Sequence, residues 1–98
     1  LHVKFIYDLR LGISVPHIEQ EWDHLDEQTK ANTLNKWEQI RGAIPDRVKQ
    51  MENQIQSVHA QLSNEEDFEK SCQLNEEMAE LASIINDLWI LFRVTPSL

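Results

Sequence analysis

The stretch from Glu65 to Val94, EEDFEKSCQLNEEMAELASIINDLWILFRV, decides how the chain folds. Leu74, Met78, Leu81, Ile85, Leu88 and Phe92 recur at alternating spacings of four and three, which holds all six on one narrow stripe of a helix. A second stripe of Phe68, Cys72, Ala79, Ala82 and Trp89 runs beside it, interrupted by Asn75 and Asn86, its centre roughly 110° from the first. A surface helix needs only one buried stripe, so this one, predicted over about 65–93, is expected to meet neighbours on two sides.

Upstream, Val48, Met51, Ile55, Val58 and Leu62 share one heptad frame and match the first stripe. Ser63-Asn-Glu-Glu66 reads as a turn carrying a capping box, and so short a connection makes the two helices an antiparallel hairpin. Leu34, Trp37 and Ile44 continue the same frame toward the N-terminus, with only Arg41 out of character. Pro45 has no amide hydrogen and its ring crowds the carbonyl of Arg41, so the pattern predicts separate helices over about 27–41 and 45–62, joined by a kink or tight turn. Asp26 is the expected N-cap of the first. Pro16, Ile18, Trp22 and Leu25 suggest a further short helix over about 16–24.

Residues 1–15 obey a different period, because every odd position from Leu1 to Val15 is apolar. Period two is the mark of a half-buried strand, predicted over about 1–11 with Gly12 ending or bending it; the alternative is an extended or helical arm. No second strand is legible, so the strand's partner is expected in another chain, such as its own copy. The fold class is thus mainly α: one domain over 1–98, with an N-terminal strand or arm at 1–15, a helical hairpin or bundle at 45–94, and a frayed tail at 95–98.

Composition narrows the function. Seventeen acidic against nine basic residues give a net charge of -8, which opposes binding to nucleic acid and to anionic membranes. No apolar run approaches the ~20 residues that span a bilayer, and the first residues lack a signal-peptide profile. The single cysteine, Cys72, suits a reducing, cytoplasmic setting; in an apolar phase with glutamates close by, it is expected to be a buried structural thiol rather than a nucleophile. His2, His17, His24 and His59 are scattered without zinc-ligand spacing.

Glu76-Glu77-Met78-Ala79-Glu80 is the stretch with a catalytic look, since three carboxylates within one helical turn suit a hard cation. It resembles half of the metal-binding signature of the all-α nucleotide pyrophosphohydrolases. That resemblance implies Mg²⁺ on Glu76, Glu77 and Glu80, and action on nucleoside triphosphates with the help of an ExxD element on a following helix; no ExxD follows Glu80 here. The competing reading is a solvated surface, because Glu69, Gln73, Glu76, Glu80, Ser83 and Asp87 line the face opposite both apolar stripes.

The expectation is therefore a small acidic, non-enzymatic interaction or scaffold module with neither cofactor nor metal, with the Mg²⁺-dependent hydrolase as the alternative. It is expected to self-associate as a homodimer, or to bind another protein, through Phe68, Cys72, Ala79, Ala82 and Trp89 of the second stripe and Val3, Phe5, Tyr7 and Leu9 of the strand. Asn75 and Asn86 fit either a register-fixing role in that seam or its rim.

Overall fold

A computed structural model describes residues 3–94. The chain runs β1 (Val3–Asp8), β2 (Ile13–Ile18), a 3-10 turn at Trp22–His24, α1 (Glu27–Ser63) and α2 (Phe68–Phe92). The fold is mainly α, with two long helices in antiparallel contact and a β-hairpin ahead of them. The molecule is a rod with extents of 59 × 21 × 18 Å. Its long axis is α1, which at ~1.5 Å per residue spans about 55 Å.

The apolar alternation over 1–15 belongs to two strands rather than one. Gly12 has φ +75, a left-handed conformation open to glycine at little cost, and its amide donates to the carbonyl of Asp8 at 2.7 Å. The chain reverses there, and β2 pairs with β1 in its own chain, correcting the expectation that a second chain must supply the partner. Residues 16–24 accordingly form no α-helix: Pro16 sits in β2 opposite Phe5, and the only helical piece is the 3-10 turn. Extended backbone is what a residue before proline prefers, so Val15-Pro16 is at home in a strand. Leu1 and His2, and the tail expected to fray, lie outside the described residues.

α1 runs unbroken through Pro45, where two helices had been expected. The burial pattern shows why the proline is tolerated. Trp37, Ile44, Val48, Met51 and Val58 are buried along one seam, while Pro45 lies on the exposed side, where a missing hydrogen bond leaves a carbonyl facing water. Arg41, the misfit in the apolar frame, lays its guanidinium over the Phe92 ring at 5.1 Å and reaches Glu38 at 3.0 Å, so its stem covers the seam while its charge stays paired.

α2 starts at Phe68 behind the N-cap Asp67, four residues beyond Ser63, the N-cap that the capping box implies. Ser63 instead donates its hydroxyl to the His59 carbonyl at 3.0 Å, and Glu65 accepts from the Asp67 amide at 3.1 Å. The core joins Leu81, Ile84 and Leu88 of α2 to Ile44, Val48, Met51 and Val58 of α1 and to Leu11 and Ile13 of the hairpin. Leu74, Met78, Ile85 and Phe92 of the first stripe pack against it. Trp37 is buried and donates from Nε1 to the Val94 carbonyl at 2.9 Å, closing the end of the helical hairpin.

Candidate interaction surface

Three features of the surface could carry function: the second stripe of α2, its acidic row, and the outer side of the β-hairpin. The stripe is uncovered. Phe68 is 79 % exposed and Trp89 37 %, and Cys72, Asn75, Ala79, Ala82 and Asn86 between them are exposed as well. Cys72 is therefore no buried thiol within the chain, contrary to expectation. Trp89 stands edge-on to Phe92, ring centroids 5.4 Å apart, and Arg93 donates from Nε to the Trp89 carbonyl at 3.2 Å, so the C-terminal end of the stripe is held in place.

The acidic row is not simply a solvated face. Arg10, in the turn of the β-hairpin, donates to Asp87 at 2.7 Å, to Ser83 Oγ at 2.8 Å and to Glu80 at 2.9 Å. Residues 80, 83 and 87 lie at i, i+3 and i+7, so one guanidinium fork spans three successive positions on one helix face. Hydrogen bonds to Asp87 and then to Glu80 raise the Arg10 pKa further above its ordinary value. A second arginine holds the same turn from the other helix, Arg47 donating from Nε to the Leu11 carbonyl at 2.9 Å. Of the EExxE carboxylates, Glu80 is thus engaged with Arg10, while Glu76 and Glu77 are exposed. Among the described residues, no three His, Cys, Asp or Glu side chains come together as a metal site.

The strand residues divide. Val3 and Phe5 are half-buried, Phe5 beneath the Lys36 ammonium at 4.6 Å, whereas Tyr7 is 58 % and Leu9 87 % exposed. The pairing register puts Val3, Phe5 and Tyr7 on one side of the ribbon, where Lys36 covers Phe5 and leaves Tyr7 open. Because Phe5 faces Pro16 and Tyr7 faces Ser14, the odd residues of β1 lie on the opposite side of the ribbon from Ile13 and Val15, the β2 residues that reach the core. Leu9 is in the turn, not in the strand. An open cleft of about 330 Å³ also lies where the two helices join, lined by Gln61, Glu65, Lys70, Gln73, Leu74 and Glu77.

No known protein family, curated protein or solved structure matches the chain. Among the described residues, no helix is long and apolar enough to cross a membrane. The Arg10 clamp escaped the pattern of the sequence, since a lone arginine among leucines carries no partner information; its one trace was the polar row 80, 83, 87. Ile84 escaped as well, lying outside both stripes, on the side of the first that faces away from the second, yet buried.

Proposed function

We propose that this protein is a non-enzymatic interaction module of the cytoplasm that self-associates through the second stripe of α2. The observation that carries the proposal is the exposure of Phe68 at 79 % on a well-formed helix, in line with an exposed Trp89 and two alanines. A large apolar side chain left in water forgoes about 1.5–3 kcal/mol, so a neighbour that covers both aromatic residues gains a substantial driving force. Ala79 and Ala82 between them let a second helix approach closely. The lone cysteine and the net charge of -8 suit a reducing compartment and a protein, rather than phosphate-bearing, partner.

The test is sedimentation equilibrium of the wild type and Ala82→Glu at micromolar concentration. A dimer that the new carboxylate dissociates is expected; a monomeric wild type would refute self-association, and a dimer indifferent to the charge would move the contact off this stripe. The hydrolase reading is tested separately. Mg²⁺-dependent turnover of nucleoside triphosphates, abolished by Glu76→Gln with Glu80→Gln, would overturn the non-enzymatic assignment.

A further inference from the structure

The stripe is more than apolar: outward from its middle its inner layers repeat, Ala79 and Ala82 and then Asn75 and Asn86, while its outer positions differ in size and charge in a complementary way. Its exposed positions are 68, 72, 75, 79, 82, 86, 89 and 93, spaced alternately by four and three, the seam of a coiled coil whose centre falls between Ala79 and Ala82. We infer that α2 pairs antiparallel with α2 of a second copy, about a two-fold axis at that centre. This inference rests on the proposed self-association and adds its polarity and register.

The two-fold operation brings Ala79 against Ala82 of the second copy, Asn75 against Asn86, Cys72 against Trp89, and Phe68 against Arg93. Each layer is complementary. Two alanines let the helices approach at the axis, and two side-chain amides can satisfy one another's donors and acceptors. A small thiol leaves room for an indole, and a guanidinium meets an aromatic face. Charge follows the same pattern: Arg93, at the C-terminal end of α2, reaches the acidic run Glu65-Glu66-Asp67 and Glu69 at the N-terminal end of the copy. In the flanking row, Glu76 falls beside Ser83 and Glu69 beside Ile90, so no two carboxylates of that row oppose each other. A parallel pair would instead stack Trp89 on Trp89 and Arg93 on Arg93. A one-heptad slip would set Phe68 or Trp89 against a polar residue or against nothing.

Apart from Arg10, which holds Ser83 of the flanking row, the rest of the molecule leaves this face free. On a helical projection, the Arg10 clamp lies roughly 100° from the stripe and the α1 seam roughly 130° on the other side. Two rods joined this way place α1 away from the contact and the β-hairpin beside it.

The experiment is charge rescue followed by sedimentation equilibrium. Ala82→Glu and Ala79→Lys should each weaken the dimer by roughly 100-fold or more, as unpaired charges in a buried seam. The double variant should recover most of that loss, because the carboxylate introduced at position 82 then meets the ammonium introduced at position 79 of the other copy. Both positions are exposed in one chain, and circular dichroism verifies that the helices persist. Spin labels give polarity independently. In a Cys72→Ser background, labels at Glu76→Cys should lie close together, offset by ~14 Å along the axis, and labels at Glu69→Cys by ~35 Å. A dimer without rescue, or with equally short distances at both sites, overturns the antiparallel register while leaving self-association intact; a monomeric wild type overturns both.

Discussion

Replacing Pro45 with alanine should stabilise the protein, and by an amount that its position in α1 allows to be worked out. The residue sits inside a continuous helix from Glu27 to Ser63, where it cannot donate to the carbonyl of Arg41. Proline costs about 3 kcal/mol more than alanine in a helix interior. Its ring is on the exposed side, so the change removes no core contact. Helices accommodate an interior proline by adjusting locally, so ~1.5–3 kcal/mol of that penalty is expected to be gained. At ~4–8 °C per kcal/mol for a domain of this size, the melting temperature should rise by roughly 10 °C. Thermal melts by circular dichroism and urea midpoints measure the effect, with wild type and variant at the same concentration, since association itself stabilises by mass action. An unchanged or lowered midpoint would refute the reasoning. It would mean that the shape imposed at position 45 is what seats Ile44 and Val48 against Leu11 and Ile13.

Gly12→Ala should cost about 2 kcal/mol in urea unfolding, because the residue keeps a positive φ and its Cβ would displace the Arg47 guanidinium from the Leu11 carbonyl. Glu76→Gln should change stability by less than ~0.5 kcal/mol, whereas Glu80→Gln should speed hydrogen exchange in the β-hairpin, an effect that salt reduces; equal behaviour of the two would dissolve the distinction drawn between them. Cys72 should react quickly with a thiol reagent in dilute native protein and progressively more slowly as the concentration rises, and a rate independent of concentration would show that the thiol is not in the contact.

How far the fold could be read from the sequence depended on whether a pattern was local. The helical hairpin was legible because first-stripe residues such as Leu81 and Leu88, like Val48 and Met51 opposite them, repeat within a few turns and are buried as their spacing implies. The start of α1 was legible from Asp26. The path at Pro45 was not, because a proline's effect depends on whether its ring faces water or core, which tertiary packing decides. The β-hairpin was missed for a related reason. Period two continues through a reversal without a change in composition, and only the backbone at Gly12 distinguishes one strand from two. Of the candidate surface, the exposed stripe was visible as surplus apolar residues beyond what one neighbour could cover. Nothing in the periodicity indicated that Glu80, Ser83 and Asp87 would close on Arg10, since those partners lie 70 to 77 positions away.

That separation has a consequence for the order in which the chain folds. The two helices meet across a turn only a few residues long, so their contact closes small loops at little entropic cost. Seating the turn of the β-hairpin on α2 closes a loop nearly as long as the chain, a costlier closure than its contact with α1 through Arg47, and is expected after α1 and α2 are side by side. The Arg10 clamp therefore belongs to the late part of folding. Removing it by Arg10→Met should leave the folding rate nearly unchanged and accelerate unfolding, so that the two arms of a chevron plot record when this arginine finds its partners.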